Sequence, residues 1–141
     1  MSESVERAVH SAFTGVFLEN TISNQIIGAA IEVHRHLGPG LLESAYEQCL
    51  CHELKLRGLS FERQKEQSVY YKGSRLDCGY RLDVIVEGAV ILELKSVKKL
   101  EPIHEAQLLT YLKLSDLKLG LLLNFNVPLM RDGIQRIVNN L

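Results

Sequence analysis

Apolar residues recur at helical spacing over residues 21–37, where Ile22, Ile26, Ala29/Ala30, Val33 and Leu37 share one side. Gly38-Pro39-Gly40 stops that helix and forces a tight turn. A second helix is predicted over residues 41–57, with Leu42, Ala45, Tyr46, Cys49, Leu50 and Leu54 on its apolar face and Gly58 at its end. The period then drops to two, and three strands are predicted over 61–71, 75–86 and 89–96, with Lys72-Gly73-Ser74 as the first turn. Pro102 opens a helix over 102–115, at the early position where its missing amide is harmless. Residues 118–124 are nearly all apolar and read as a strand buried on both faces. Residues 130–139 read as a short terminal helix, and residues 1–20 as a weakly patterned N-terminal arm, mobile or partly helical.

Helix, helix, three strands, helix, strand, helix is an α/β order. Three strands in an antiparallel meander, followed by a crossover helix and a fourth strand, make a single mixed four-stranded sheet flanked by helices. Residues 21–141 are read as one domain of this kind behind the 1–20 arm.

The strand pair also carries chemistry. Within residues 82–95 the only charges besides the turn residue Glu87 are Asp83, Glu93 and Lys95. Strands built otherwise from Val, Ile and Leu gain no stability from them. Two carboxylates and a lysine brought together can hold a divalent metal and activate water, the equipment of phosphodiester hydrolysis. Leu82, Val84 and Val86 alternate with Asp83 and Ile85; Val90, Leu92 and Leu94 alternate with Ile91, Glu93 and Lys95. Keeping the apolar sets on one face pairs Val84 with Leu92 and Val86 with Val90, which sets Asp83 opposite Glu93. A plain two-residue turn would spoil both faces, so an odd-length loop over 87–89, or a bulge, is predicted.

Composition narrows the field further. The chain has 141 residues, 46% hydrophobic and 23% charged, which suits one globular domain without a membrane span. The N-terminal residues Glu3, Glu6 and Arg7 do not suit an export signal, so a cytoplasmic location is expected. Cys49, Cys51 and Cys78 cannot all pair with one another and read as idle or buried thiols. A net charge of −1 lacks the basic excess of a protein gripping a long stretch of duplex. Local basic groups such as Lys95, Lys98 and Lys99 leave room for a small phosphate footprint, and the balance also admits a partner subunit.

The order of elements together with D-x9-E-x-K resembles the PD-(D/E)xK nuclease superfamily. More closely, G-L-L-E-S-A-Y at 40–46 resembles the signature of the bacterial GxxExxY protein family. The likeness runs from Ile22 to Leu141 through E-V-H-R-H-L-G-P-G, Y-K-G, G-Y-R-L-D, E-L-K, P-I-H-E-A-Q-L-L-T-Y-L and G-L-L-L-N-F-N-V-P-L. It implies a restriction-endonuclease-like core in which Asp83 and Glu93 hold Mg²⁺ or Mn²⁺, Lys95 assists the attacking water, and Glu43 joins the metal site. Gln107 and Tyr111 resemble the Q-x-x-x-Y element of exonuclease-like members, and Leu82 stands where the pattern often has proline.

Other residues are weighed against plainer roles. Gln107 lies beside Leu108 at the core edge, where a buried amide would need a carboxylate or phosphate as partner. Tyr46 sits on the apolar stripe and reads as packing, His34 as a cap or packing residue, and His104 as a surface histidine. Tyr80 and Arg81 next to Asp83 are placed to contact phosphate, with Tyr111 and Lys98 as further substrate-binding residues. The expectation is a metal-dependent nuclease acting on DNA or RNA. The alternative is a non-catalytic nuclease-fold module that binds nucleic acid or a protein, with a homodimer as one arrangement.

Overall fold

The first helix starts well before residue 21: α1 runs Glu3–Leu37. The computed structural model describes the backbone of residues 3–141 and the side chains from Leu18 onward. The division between an arm over 1–20 and a domain turns largely on side chains outside the described residues. After the Gly38-Pro39-Gly40 turn, α2 runs Glu43–Leu56, followed by β1 (Phe61–Tyr71), β2 (Ser74–Val86) and β3 (Val90–Lys95). Then come α3 (Pro102–Ser115), β4 (Leu119–Asn124), a 3-10 turn over Met130–Gly133, and β5 (Ile134–Val138).

One mixed sheet holds the strands in the order β1-β2-β3-β4-β5. Only the β3/β4 pair is parallel, and α3 supplies the crossover that such a pair requires. The expected count of four strands is therefore corrected to five, and the expected terminal helix is absent. Ile134, Ile137 and Val138 fit helical spacing, but they are β-branched and lie beside the open edge of β4. That edge carries unpaired backbone groups, and β5 satisfies them from Leu119↔Val138 to Leu123↔Ile134.

Two helical layers sandwich the sheet. Ile22, Ile26, Ala29, Ala30 and Val33 of α1 and Tyr46, Leu50 and Leu54 of α2 pack on Val84, Val86, Val90, Leu92, Leu94, Leu119, Leu121 and Leu123. On the opposite face Leu108, Tyr111 and Leu112 of α3 cover Leu82, Ile85, Ile91 and Leu122. Every residue of β4 is buried, as expected of a strand covered on both faces. Gly120 lets α3 lie this close, because a Cβ there would sit 2.9 Å from Leu108 carbons.

The predicted hairpin register is present, with Val84↔Leu92, Ile85↔Ile91 and Val86↔Val90. Glu87 and Gly88 both take positive φ (54° and 63°), and the Ala89 amide donates to the Val86 carbonyl at 3.0 Å. Ala89 is then the extra residue that restores the register, as a bulge does. One expectation fails. Leu82 does not share the face of Val84 and Val86; it packs against α3. The alternation of β2 therefore breaks at Asp83.

Candidate active site

The break in β2 has a counterpart on β1. Arg63 pairs with Val84 and Lys65 with Leu82, while Gln64 between them is left out of the ladder and takes φ 50°. A non-glycine residue in that conformation costs about 1–2 kcal/mol, so something must hold it. Its side-chain amide donates to Glu47 Oε1 at 2.7 Å, and Arg63 donates to Glu47 Oε2 through Nε at 3.2 Å and Nη2 at 2.8 Å. Consecutive residues of a regular strand point to opposite faces. Arg63 and Gln64 reach the same carboxylate because the strand is irregular there.

Opposite this irregularity, Asp83 turns its carboxylate along the sheet and accepts the Leu94 amide at Oδ2, 2.8 Å away. The ladder pairing of β2 with β3 stops at Val84↔Leu92, and this side chain takes over from the backbone. Glu93 on β3 is buried, only 8% exposed, and its Oε1 has no hydrogen-bond partner among the described residues. Burial pushes the Glu93 carboxyl up to about 9, with the neighbouring Asp83 charge adding to the effect. Burial also raises Asp83; the Leu94 amide opposes this, and Glu47 and Lys95 act on it in opposite directions. Lys95 is half-buried and its charge favours the ionised form of both acids.

Tyr111 of α3 borders this group. Burial raises its hydroxyl, Glu93 adds to the shift, and the Gln107 side chain works against it. Tyr80 stands beside it, with ring centroids 6.0 Å apart and planes tilted by 58°. Asp83, Glu93, Lys95 and Tyr111 thus lie in one electrostatic neighbourhood, with Gln107 at its border. Gln107 itself is exposed, which corrects the expectation of a buried amide in need of partners.

Three other expected residues lie apart from that group. Glu43 opens α2, and its Oε1 accepts the Ser96 amide at 3.3 Å, just beyond Lys95. Arg81 is exposed and reaches Glu66 at 3.5 Å and the Gln64 carbonyl at 3.4 Å. Lys98 is exposed and lines a depression with Asn124, Asp132 and Gln135. Tyr46 packs as expected: it stacks on Phe125 at 4.5 Å, donates to the Gly38 carbonyl at 2.6 Å and accepts the Leu41 amide at 3.1 Å. His34 is buried, its Nε2 2.7 Å from the Val127 carbonyl oxygen.

Two buried polar residues carry more weight than their sequence positions suggest. Asn124 holds the segment after β3, donating to the Val97 carbonyl at 2.9 Å and accepting the Val97 amide at 3.1 Å. Glu47 lies in the buried row of α2 with Tyr46, Leu50, Cys51 and Leu54. An acid inside that row was the available signal, since buried carboxylates are rare without partners.

Among the described residues no group of three His, Cys, Asp or Glu side chains is placed to hold a metal ion. The pair Asp83 and Glu93 still fits a hard divalent cation. Mg²⁺ is commonly held by one or two carboxylates, with water and substrate phosphate completing its shell. An orphaned buried carboxyl oxygen beside a second raised carboxyl is what such a charge would satisfy.

The sequence matches the PD-(D/E)XK nuclease superfamily over residues 20–137. No curated protein and no solved structure gives a significant match to the chain.

Proposed function

The chain belongs to the PD-(D/E)XK nuclease superfamily, and from that membership we propose that it is a metal-dependent nuclease hydrolysing phosphodiester bonds of DNA or RNA. Within the superfamily we place it with the GxxExxY proteins, on the G-L-L-E-S-A-Y run at 40–46. The observation that carries the reading is the Asp83–Glu93 pair, two carboxyls raised by burial with one oxygen unpartnered among the described residues.

In this reading Asp83 and Glu93 present the oxygen donors, and Glu43, apart from them on the Ser96 amide, is left outside the ligand set. A bound Mg²⁺ or Mn²⁺ supplies Lewis acidity and neutralises phosphate charge. Lys95 orients the attacking water and stabilises the negative charge that builds on the phosphoryl oxygens. Gln107 and Tyr111 border the phosphate, and the exposed Arg81 and Lys98 are assigned to substrate phosphates. Among the described residues no helix is long and apolar enough to cross a membrane.

A second reading is favoured by the net charge of −1. Here the same domain binds nucleic acid or a protein partner, a second copy included, without turnover. Incubation with duplex DNA, single-stranded DNA and RNA in Mg²⁺ or Mn²⁺ separates the two. Cleavage by the wild type and none by a folded Lys95→Ala supports the nuclease. Retention of nucleic acid without cleavage by either protein rejects it in favour of the binding module.

A further inference from the structure

We infer that Glu47 is a positioning residue that sets Asp83 through the irregularity at Gln64. Both Glu47 oxygens are engaged, one by Gln64 and one by Arg63, so the carboxylate clasps two consecutive residues of β1. The clasp keeps Gln64 at φ 50° and outside the β1/β2 ladder. Directly across, β2 breaks its alternation: Leu82 goes to the α3 layer and Val84 to the α1/α2 layer. Asp83 sits between those two residues, and its carboxylate reaches the Leu94 amide beside Glu93. An unclasped β1 would relax toward regular pleating, and a regular β2 would return Asp83 to strict alternation.

Glu47 does this without serving as a ligand. Its oxygens are already engaged by Arg63 and Gln64, and no third acid is gathered with Asp83 and Glu93 among the described residues. It is also nearly closed to solvent, at 7% exposure, which suits a role inside the fold. The inference rests on the metal-site reading only for its consequence, since a displaced Asp83 weakens cation binding. Loss of a residue that orients a ligand typically costs about 10–100-fold in metal affinity.

Two readouts test it. Hydrogen exchange of the Leu94 amide, without metal, reports whether Asp83 Oδ2 is in place; calorimetric titration with Mn²⁺ reports the consequence. Glu47→Gln can accept on only one side, so the Leu94 amide is expected to exchange roughly 10-fold faster or more. Mn²⁺ affinity is expected to fall by about 10-fold. Adding Gln64→Gly to Glu47→Gln is expected to recover much of both, because glycine takes positive φ without being held. Gln64→Leu breaks the same hydrogen bond with the Glu47–Arg63 pair intact and gives the same test should Glu47→Gln not fold.

Unchanged Leu94 exchange in Glu47→Gln would overturn the inference. So would a loss of Mn²⁺ affinity with Leu94 protection intact, which would make Glu47 a direct participant at the ion. A wild type that binds no Mn²⁺ would remove the metal-site reading, while Leu94 exchange would still decide the role of Glu47.

Discussion

The Leu94 amide donates to Asp83 Oδ2 across 2.8 Å, so a side chain occupies the place where the β2/β3 ladder would otherwise continue with backbone. This bond carries the Asp83 carboxylate to the strand of Glu93. Burial raises both acids in the folded protein, against the pull of the Leu94 amide on Asp83, and so fixes the sign of the pH response.

Glu93 is raised from 4.5 to about 9. Between those values the folded state holds a proton that the unfolded chain has released, so stability falls as pH rises through the window. Glu93→Gln removes that dependence. In metal-free protein it is expected to raise stability at pH 8 by about 1–3 kcal/mol, read as a higher urea midpoint, with little change at pH 4. A variant less stable than wild type at pH 8 would mean that the Glu93 carboxylate stabilises the fold.

Lys95→Ala is expected to leave the fold and Mn²⁺ binding largely intact while lowering the hydrolysis rate by about 10²–10⁴-fold. Circular dichroism, calorimetry and single-turnover cleavage check the three parts. Loss of folding instead would make Lys95 a structural counter-ion.

Two glycines are steric requirements. A Cβ at Gly120 would lie 2.9 Å from Leu108 side-chain carbons, and one at Gly133 would lie 2.0 Å from the Asn124 carbonyl oxygen. Gly120→Ala is expected to cost about 1–3 kcal/mol as α3 is pushed off the sheet. Gly133→Ala should cost more, because backbone yields less readily than a leucine side chain. Denaturant titration of both ranks them, and the reverse order would contradict the packing described.

Tyr46→Phe keeps the stacking on Phe125 and removes the bonds to the Gly38 carbonyl and Leu41 amide. A loss of roughly 1–3 kcal/mol is expected. Faster exchange of the Leu41 amide would accompany it. An unchanged denaturant midpoint would show that the hydroxyl is dispensable to the turn.

Much of this was legible in the sequence. The hairpin register followed from where Val84, Val86, Val90 and Leu92 had to point, and that choice also brought Asp83 near Glu93. The β5 strand was hidden because Ile134, Ile137 and Val138 satisfy helical spacing equally well; the open edge of β4, a tertiary fact, decides between the two. The strict alternation assumed for Leu82 fails because Gln64, far away in sequence, is held out of the ladder. Glu47 was missed for a similar reason. Its partners lie on β1, and only folding brings Arg63 and Gln64 onto its two oxygens. Leu108 suggests a buried Gln107 beside it, but one step along α3 turns a side chain out of the core.

Isothermal titration of Mg²⁺ and Mn²⁺ into the wild type and into Asp83→Ala/Glu93→Ala decides whether the two acids hold a metal. Saturable binding to the wild type is expected, tighter as pH rises because the two raised carboxyls must lose their protons, and none to the double variant. A well-folded wild type that takes up neither ion at pH 8 would contradict this expectation.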